Sequence, residues 1–248
     1  MIDCSMLVVP DVHRPVHNHK AWDLVLKVVS DAKPDLLAQL GDLGDYEAVS
    51  SHSKKFGVQR ALKREVDSTR EAARELRQAH GKKKKRYWIQ GNHEERFERY
   101  AAANAPELED FLPTGAQLLG VETGEVWCPY RSDVQVGKVT ITHDVGHSGK
   151  NATAQTLDSV GHCVVSGHTH RGGIVFDGTV LGERRFSMSC GWLGDVDKIT
   201  YMHRSQMRGW QLGFGWLRFD KRGRAWPTFC PILDDGRTVV LEGKEYRV

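Results

Sequence analysis

The sequence predicts an α/β fold in which helices flank β-sheets and polar side chains gather at the carboxyl ends of the strands. Two observations support this prediction. Short apolar runs end directly at Asp, Asn or His residues, and amphipathic segments with helical spacing lie between the first of these runs. Such apolar runs are typical of buried strands, and apolar residues that recur every three or four positions are typical of helices packed on a sheet.

The first half of the chain alternates between predicted strands and predicted helices. The first helix stops before Pro34, and the longer second helix is closed by Gly81. Strands are predicted at residues 6–10, 35–40, 86–90 and 139–142, and helices at 22–29 and 62–76. Each of these strands ends one or two residues before an Asp, Asn or His of a polar cluster, which places the clusters at strand ends.

The second half continues this pattern and then changes in texture. A further strand at 163–166 ends before His168. After residue 170 the chain consists of short strand-like runs broken by glycine, which predict a second, mostly antiparallel sheet. These runs lie at 173–176, 185–189, 210–219, 225–232 and 238–241. The length of 248 residues fits one domain spanning the whole chain, residues 1–248.

Composition narrows the class of protein without identifying it. The net charge of +3 is too small to indicate a nucleic-acid-binding protein by itself. No window approaches 18 consecutive apolar residues, and the first residues do not resemble a signal peptide, so we expect a soluble, cytoplasmic protein without a membrane partner. The five cysteines are widely spaced, which argues against a disulfide framework and against a thiolate zinc site. The oligomeric state stays open.

Five short polar clusters carry the chemistry. Because ligands of open α/β sheets bind beyond the carboxyl ends of the strands, we expect these clusters to meet in one crevice. Asp11 and His13 would point apart in a regular strand, so a turn is expected there. A mixed imidazole and carboxylate set favours Zn, Fe, Mn or Ni over Mg or Ca. The clusters are Asp11-Val12-His13, Gly41-Asp42, Gly91-Asn92-His93-Glu94, Thr142-His143-Asp144 and Gly167-His168-Thr169-His170.

In order and residue type, the five clusters resemble the signature of the calcineurin-like metallophosphoesterase superfamily over roughly the first 170 residues. The resemblance implies a two-sheet β-sandwich flanked by helices and a site for two metal ions. Residues 209–215 and 243–246 also look like small single-domain members encoded by bacteriophages. By resemblance, one ion is held by Asp11, His13 and His170, the other by Asn92, His143 and His168, and Asp42 bridges both.

The same resemblance implies a mechanism for hydrolysis of a phosphate ester. Two divalent transition-metal ions, with manganese favoured and zinc, iron or nickel as alternatives, would share a bridging hydroxide that attacks phosphorus. His93 would be a general acid that protonates the leaving oxygen. Asp45, the second acid of a G-D-x-x-D pattern, would orient His93 and support its protonated form.

Departures from the family pattern bear on the substrate. Tyr46 and Glu47 replace the Arg-Gly pair with which protein phosphatases of the superfamily clamp phosphate. This favours a phosphodiester in a nucleotide or nucleic acid, and so a nuclease or related phosphodiesterase. A phosphomonoesterase, a protein phosphatase or a catalytically inactive binding module are the alternatives. Asp144 replaces a usual glycine, and we favour a role in capping the following loop over contact with metal or substrate.

Several neighbours of the clusters are candidates for substrate contact. Arg14, His147 and Lys150 are the predicted contacts, with solvated loop residues as the alternative interpretation. The basic tract at 82–86 invites a nucleic-acid interpretation, yet it precedes a strand and would lie at the end opposite the crevice, so we expect a solvated loop. Tryptophans are expected in the core or rim of the second sheet rather than as base-stacking platforms; these are Trp192, Trp210, Trp216 and Trp226.

Overall fold

The computed structural model describes residues 2–51, 62–178, 180, 182–199 and 202–248, and within these ranges it contains thirteen strands and five α-helices. The helices are α1 (His19–Ala32), α2 (Leu62–His80), α3 (Asn92–Asn104), α4 (Gly115–Leu119) and α5 (Ala152–Val160). The strands are β1 (Ile2–Val9), β2 (Leu36–Gln39), β3 (Lys85–Ile89), β4 (Val126–Cys128), β5 (Asp133–Val136), β6 (Val139–Thr142), β7 (Val164–Ser166), β8 (Gly172–Gly178), β9 (Arg184–Cys190), β10 (Gly213–Asp220), β11 (Ala225–Pro231), β12 (Thr238–Leu241) and β13 (Lys244–Arg247).

The first sheet has six strands in the order β11-β10-β1-β2-β3-β4. Strands β1 to β4 are parallel neighbours, whereas β10 pairs with β1 in antiparallel orientation. The prediction that the runs at 210–219 and 225–232 belong to a second sheet is therefore wrong. The physical reason is that β2 covers only one edge of β1, and β10 satisfies the hydrogen-bonding groups of the other edge.

The second sheet has five strands in the order β5-β6-β7-β9-β8. The pairs β6–β7 and β7–β9 are parallel, and β5–β6 and β8–β9 are antiparallel, so the sheet is mixed rather than mostly antiparallel. The runs at 173–176 and 185–189 lie in it, as predicted. Strands β12 and β13 form a separate hairpin. The architecture is thus an α/β fold with two main sheets flanked by helices.

Each face of β1 contributes to a different part of the hydrophobic core, because side chains alternate along a strand. Met6 and Val8 belong to the cluster that fills the space between the two sheets. Leu7 and Val9 belong to the cluster that packs the outer face of the first sheet against α1 and α2. The residues after β1 therefore start from a strand that is fixed on both faces.

The caps of α1 and α2 fix where the crossover helices begin and end. Asn18 Oδ1 accepts a hydrogen bond from the backbone N–H of Ala21 at 3.1 Å, which caps the start of α1. Gly81 follows α2 with φ of +96°, and its N–H donates to Arg77 O at 2.9 Å. Such left-handed residues close helices. The predicted end of the long helix at Gly81 agrees with this geometry.

The basic tract at 82–86 leads into the amino end of β3, opposite the end that carries Asn92. Lys82, Lys83 and Lys85 are exposed, as expected for a solvated segment. Arg86 differs, because it is buried and its Nε donates to Glu125 Oε1 at 2.6 Å. The tract is therefore partly a structural anchor for β3. Among the described residues, no helix has the length and apolar character needed to cross a bilayer.

Acid is expected to destabilise the fold through His80, the last residue of α2. Its Nε2 donates to Pro34 O at 3.0 Å, and burial lowers the pKa of the ring to about 4. Since an unfolded histidine has a pKa near 6.5, the unfolded state binds the extra proton first, and stability falls as pH drops below about 6.5. Between pH 7 and pH 5 this difference amounts to about 2 kcal/mol.

The variant His80→Gln keeps a donor for Pro34 O without a titrating ring. Urea unfolding of both proteins at pH 7 and pH 5 measures the effect as the change in their stability difference. The wild-type protein should lose about 2 kcal/mol relative to the variant on acidification. A stability difference that does not change with pH would contradict the buried, neutral state of His80.

Candidate metal centre

The strands of both sheets deliver the predicted site residues to one place. Asp11 follows β1, Asp42 follows β2, Asn92 follows β3, His143 follows β6, and His168 and His170 follow β7. All of these positions lie at carboxyl ends of parallel strands, where such sheets place their ligand sites. Histidine and aspartate side chains from these segments form groups whose ligand atoms lie within 4.8 Å of one another. The expected crevice is present.

The first group consists of Asp11, His13, Asp42 and His170, and all four side chains are buried. His13 Nε2 lies 3.0 Å from His170 Nε2. His170 Nε2 lies 3.7 Å from Asp11 Oδ1. Two imidazoles and two carboxylates thus converge on one small volume.

The second group consists of Asp42, His143 and His168. His143 Nε2 lies 3.5 Å from Asp42 Oδ2. Asn92 joins this group, because its Oδ1 lies 2.9 Å from His143 Nε2 and 2.9 Å from His168 Nδ1. Asp42 is the residue that the two groups share.

The backbone of the site departs from regular strand geometry. Four of its residues adopt left-handed conformations, which non-glycine residues rarely do and which are frequent at functional sites. The predicted turn after Asp11 is present, since His13 has φ of +56° and its carbonyl accepts from Val16 N at 2.7 Å. The others are Asp42, His168 and His170, with φ of +51°, +64° and +55°.

Two glycines permit the close approach of the segments that carry Asp42 and Asn92. A Cβ on Gly91 would lie 2.1 Å from Asp42 Oδ1. A Cβ on Gly41 would lie 2.6 Å from the backbone of Gly91, and Gly41 also has φ of +98°. Side chains at either position would push the two loops apart. Steric crowding therefore explains why these two motifs contain glycine at positions 41 and 91.

A divalent cation fits the way these groups face one another. His143 Nδ1 lies 2.7 Å from Leu40 O, which only accepts, so in a neutral ring Nδ1 carries the proton and Nε2 a lone pair. That lone pair faces Asn92 Oδ1. His13 is similar, since its Nδ1 donates to Asp45 Oδ1 at 3.0 Å and its Nε2 faces His170. Lone pairs directed into a buried volume beside carboxylates suit a metal ion.

The electrostatics of the cluster support the same conclusion. Burial opposes protonation of His13 and His143, but Asp45 and Asp42 respectively, with other carboxylates, raise the pKa of both rings. Burial also disfavours the charged form of Asp42, yet the surrounding histidines lower its pKa. The charged forms of these histidines and carboxylates therefore stabilise one another. A cation bound beside the carboxylates would supply the positive charge in place of histidine protons. The cluster contains no cysteine, which fits a transition metal rather than a structural zinc site.

Asp45 and His93 lie beside the first group. Asp45 Oδ1 accepts from His13 Nδ1 at 3.0 Å and lies 3.1 Å from His93 Nδ1. Burial opposes its ionisation, but the hydrogen bonds from the two histidines lower the pKa of Asp45 well below its usual value. His93 Nε2 lies 3.8 Å from Asp42 Oδ2. The contact between Asp45 and His93 agrees with the expectation from the sequence.

The protonation state of His93 differs from that expectation. Its Nδ1 donates to Asp45 O at 2.8 Å, and its Nε2 accepts from Arg96 Nη2 at 2.8 Å. An imidazole that accepts from a guanidinium is neutral. Burial, His13 and Arg96 lower the pKa of His93 despite the nearby carboxylates. In this arrangement Asp45 orients the ring, and it does not hold it in the protonated form.

Three further residues support the site, and the sequence analysis did not assign that role to any of them. Glu94 is fully buried, and its carboxylate accepts from the N–H groups of Asp42, Gly44 and Gly91 at 2.8, 3.1 and 2.9 Å. Trp192 stacks on His170 with 4.9 Å between ring centroids and fixes that ring. Arg96 contacts His93. Glu94 could have been found from the sequence, because it is part of the G-N-H-E motif. Arg96 lies just outside that motif, and Trp192 lies far along the chain from every motif.

The three predicted substrate contacts have different surroundings. Arg14 is buried, its guanidinium pairs with Glu75, and it lies 5.0 Å from the ring centroid of Trp22. Its guanidinium is therefore held between α1 and α2. The prediction placed it in the crevice, and the described contacts do not. His147 lines a cavity beside the second group, and its Nε2 lies 2.6 Å from Ser159 Oγ. Lys150 is exposed and does not line that cavity.

That cavity has a volume of about 740 Å³ and reaches His168 at the edge of the metal site. Tyr130 contributes its ring, with the Arg131 guanidinium 5.5 Å from the ring centroid. Burial and the nearby carboxylate of Asp144 raise the pKa of Tyr130 to about 12. Asp144 Oδ1 accepts from Gly146 N at 2.7 Å, so it caps the loop after β6 as predicted.

The tryptophans lie in different places from one another. Trp192 is buried against the candidate ligand His170, and Trp210 meets the same ring edge-on at 4.2 Å. Trp216 is buried in the first sheet, not the second, because β10 pairs with β1. Trp226 is half exposed on β11. Two of the four therefore contact the site rather than filling the second sheet.

The fold and the site define a metal-binding protein of the phosphoesterase type. The family model for calcineurin-like phosphoesterases matches residues 5–172, and the chain belongs to this family. Among curated proteins, the chain is 27% identical to the Gene 54 protein of Mycobacterium phage D29 over 243 residues, covering 92% of this chain and 93% of that protein. It is 26% identical to the Gene 54 protein of Mycobacterium phage L5 over 260 residues, covering 98% of each.

Solved structures with a similar course of the chain include Vacuolar Protein Sorting 29 from Cryptosporidium parvum, at 12% identity and a TM-score of 0.48, covering 100% of this chain and 97% of that one. Another is YfcE, a phosphoesterase from E. coli, at 15% identity and a TM-score of 0.40, covering 88% of each chain. These similarities carry no argument about what this protein binds or catalyses.

Proposed function

We propose that this protein is a dinuclear metal-dependent phosphoesterase that hydrolyses a phosphodiester in a nucleotide or nucleic acid. The observation that supports this proposal most is the position of Asp42. It is a buried carboxylate that belongs to both groups of candidate ligands. A carboxylate shared in this way can hold two cations side by side, which is the arrangement that two-metal phosphoryl chemistry requires.

In this proposal each ion would have three ligands of its own and would share Asp42. Asp11, His13 and His170 would hold one ion, and Asn92, His143 and His168 would hold the other. Manganese is the ion we favour in both positions, with zinc, iron or nickel as alternatives for an imidazole and carboxylate set. When bound, the two ions lower the pKa of a water molecule and neutralise charge on the phosphoryl group.

The chain's own residues orient the ligands and handle the proton. Asp45 fixes the rings of His13 and His93 through their Nδ1 atoms. Leu40 O fixes His143 in the same way and leaves its Nε2 directed into the site. His93 keeps Nδ1–H on Asp45, and its Nε2 would have to take up a proton from water before it could pass one to the leaving oxygen. Trp192 stacks on the ring of His170 and Trp210 meets it edge-on, so the two indoles hold that ring in place.

The cavity beside His168 supports a diester substrate with a substantial leaving group. Its volume of about 740 Å³ is in the range of sites for drug-sized ligands. The ring of Tyr130 with Arg131 beside it offers a flat surface and a cation, which suit a base and a phosphate.

A pair of chromogenic esters tests the proposed substrate class. Manganese-loaded protein is expected to hydrolyse bis-p-nitrophenyl phosphate with a kcat/KM at least about tenfold above that for p-nitrophenyl phosphate, equivalent to about 1.4 kcal/mol in transition-state stabilisation. The measurement is release of p-nitrophenol, with chelator-treated protein as the control that should be inactive on both. A clear preference for the monoester would contradict the diester proposal and favour a phosphomonoesterase or protein phosphatase.

A further inference from the structure

Arg96 places a buried positive charge at the edge of the metal site. It lies on α3, three residues after His93, so the two side chains emerge from the same face of the helix. The residue is only 8% exposed. The family motifs considered above do not include this position, and the metal ligands do not require it.

The partners of the Arg96 guanidinium are neutral acceptors. Nη1 donates to the backbone carbonyl of Asp45 at 2.9 Å, and Nη2 donates to His93 Nε2 at 2.8 Å. Across the described ranges, no ion pair joins Arg96 to a carboxylate. Other buried arginines differ, since Arg14 pairs with Glu75 and Arg86 with Glu125.

A buried charge without a counter-ion is unfavourable, and proteins normally pair it. The atom that Arg96 contacts, His93 Nε2, is itself 3.8 Å from Asp42 Oδ2. Among the described residues the Arg96 guanidinium has no carboxylate partner, and through His93 Nε2 it lies at the edge of the metal site. An oxyanion there would supply the missing negative charge, and guanidinium is suited to oxyanions because its N–H groups match two oxygens.

We propose that Arg96 binds a non-bridging oxygen of the phosphoryl group and exchanges its hydrogen bond to His93 Nε2 for one to that oxygen. This inference rests on the proposed function, because it needs a phosphoryl group at the metal site. The exchange has a second effect. It releases His93 Nε2, which is occupied by Arg96 in the present arrangement, so binding of the phosphoryl group and release of the imidazole occur together.

Binding of inorganic phosphate to the manganese-loaded protein, measured by isothermal titration calorimetry, tests this assignment. Arg96→Gln keeps an N–H donor for Asp45 O and removes the charge. It is expected to bind phosphate about 10- to 100-fold more weakly, the usual loss for a hydrogen bond between charged groups. Arg96→Lys keeps the charge without the paired donors and should bind several-fold more weakly. Arg99→Ala, on the exposed face of α3, should bind like the wild type.

Metal content and melting temperature are measured on the same samples. Wild-type phosphate affinity in a folded, metal-loaded Arg96→Gln protein would overturn the inference, since a purely structural arginine would change stability and leave phosphate binding alone. If Arg96→Gln does not fold, Arg96→Lys decides, and wild-type affinity in that variant overturns it equally. Hydrolysis of diesters by the wild type separates the two proposals. If the wild type is active and the Arg96 variant binds phosphate normally, this inference fails and the proposed function stands. A metal-loaded wild type that neither binds phosphate nor hydrolyses esters would overturn both.

Discussion

Replacing Asp42 with alanine is expected to remove both metal ions and with them all measurable hydrolysis. Asp42 contributes to both groups of candidate ligands, and its Oδ1 also accepts from the backbone N–H of His93 at 2.9 Å. Residues that only orient a ligand typically change metal affinity by 10- to 100-fold, so loss of a shared ligand should exceed about 100-fold. Without Asp42, the site has lost a carboxylate between several imidazoles that then repel one another when protonated.

Metal content after manganese loading, determined by mass spectrometry of the desalted protein, is the measurement. Asp42→Asn removes the charge but keeps an acceptor for His93 N, so it separates loss of charge from loss of side-chain shape. Its metal content should be as low as that of Asp42→Ala. Asp158→Asn, on the exposed side of α5, is the matched control and should keep the wild-type content. Normal loading of Asp42→Asn would contradict a bridging role. A wild type that retains fewer than about one ion per chain would favour an inactive binding module.

Replacing His93 with alanine is expected to reduce kcat by about 10²- to 10⁴-fold while metal content stays near that of the wild type. The physical reason is that His93 donates Nδ1–H to Asp45, so Nε2 is the atom that can take up a proton from water and pass it to the leaving oxygen once Arg96 moves away. The metals lose no ligand in this variant. Steady-state kinetics with the diester and metal analysis of the same preparation give the two quantities.

The structure also contains an arrangement in which His93 could be a metal ligand, and metal content would then not stay unchanged in His93→Ala. His13, Asp45 and His93 form a third group whose ligand atoms lie within 4.8 Å of one another. Metal loss in His93→Ala equal to that in Asp42→Ala would identify His93 as a ligand. His203→Ala, at an exposed loop position, is the control for replacement of a histidine and should change neither quantity.

The sequence predicted most of the first sheet and of the polar clusters because both depend on local patterns. Apolar runs that end at Asp or His have the same meaning in any parallel sheet. The positions of β10 and β11 were not predictable in this way, because strands near the end of the chain can satisfy the free edge of either sheet. The choice depends on which edge is uncovered, and that depends on pairing between Met6 and Leu217, far apart in sequence.

Within the site, the sequence indicated the groups that could hold metal and missed those that surround them. Trp192 reaches His170 through a bridge between its backbone and that of Asp11, a contact between distant segments. In the sequence, Arg96 cannot be distinguished from other arginines of amphipathic helices. Its contact with Asp45 depends on the tertiary fold. Arg14 was predicted to lie near the substrate because it follows His13, whereas its side chain pairs with Glu75.

Arg96 also changes the interpretation of Tyr46 and Glu47. Their presence argued against a phosphoprotein substrate, since no arginine follows the second acid of the motif. Tyr46 is fully buried, so a substrate would not contact it in any case. A guanidinium reaches the site from α3 instead. The residue types at 46 and 47 therefore do not establish that a phosphate clamp is absent, which makes the comparison of diester and monoester the decisive measurement.

The single oxygen Asp45 Oδ1, in contact with both His13 and His93, links two tasks that could have been separate. A change in the charge or position of this carboxylate alters the basicity of a candidate ligand and of a candidate proton donor at once. Affinity for metal and speed of proton transfer therefore cannot be adjusted independently through this residue. A substitution that changes one without the other has to lie elsewhere, for example among the residues that border His93 on its far side.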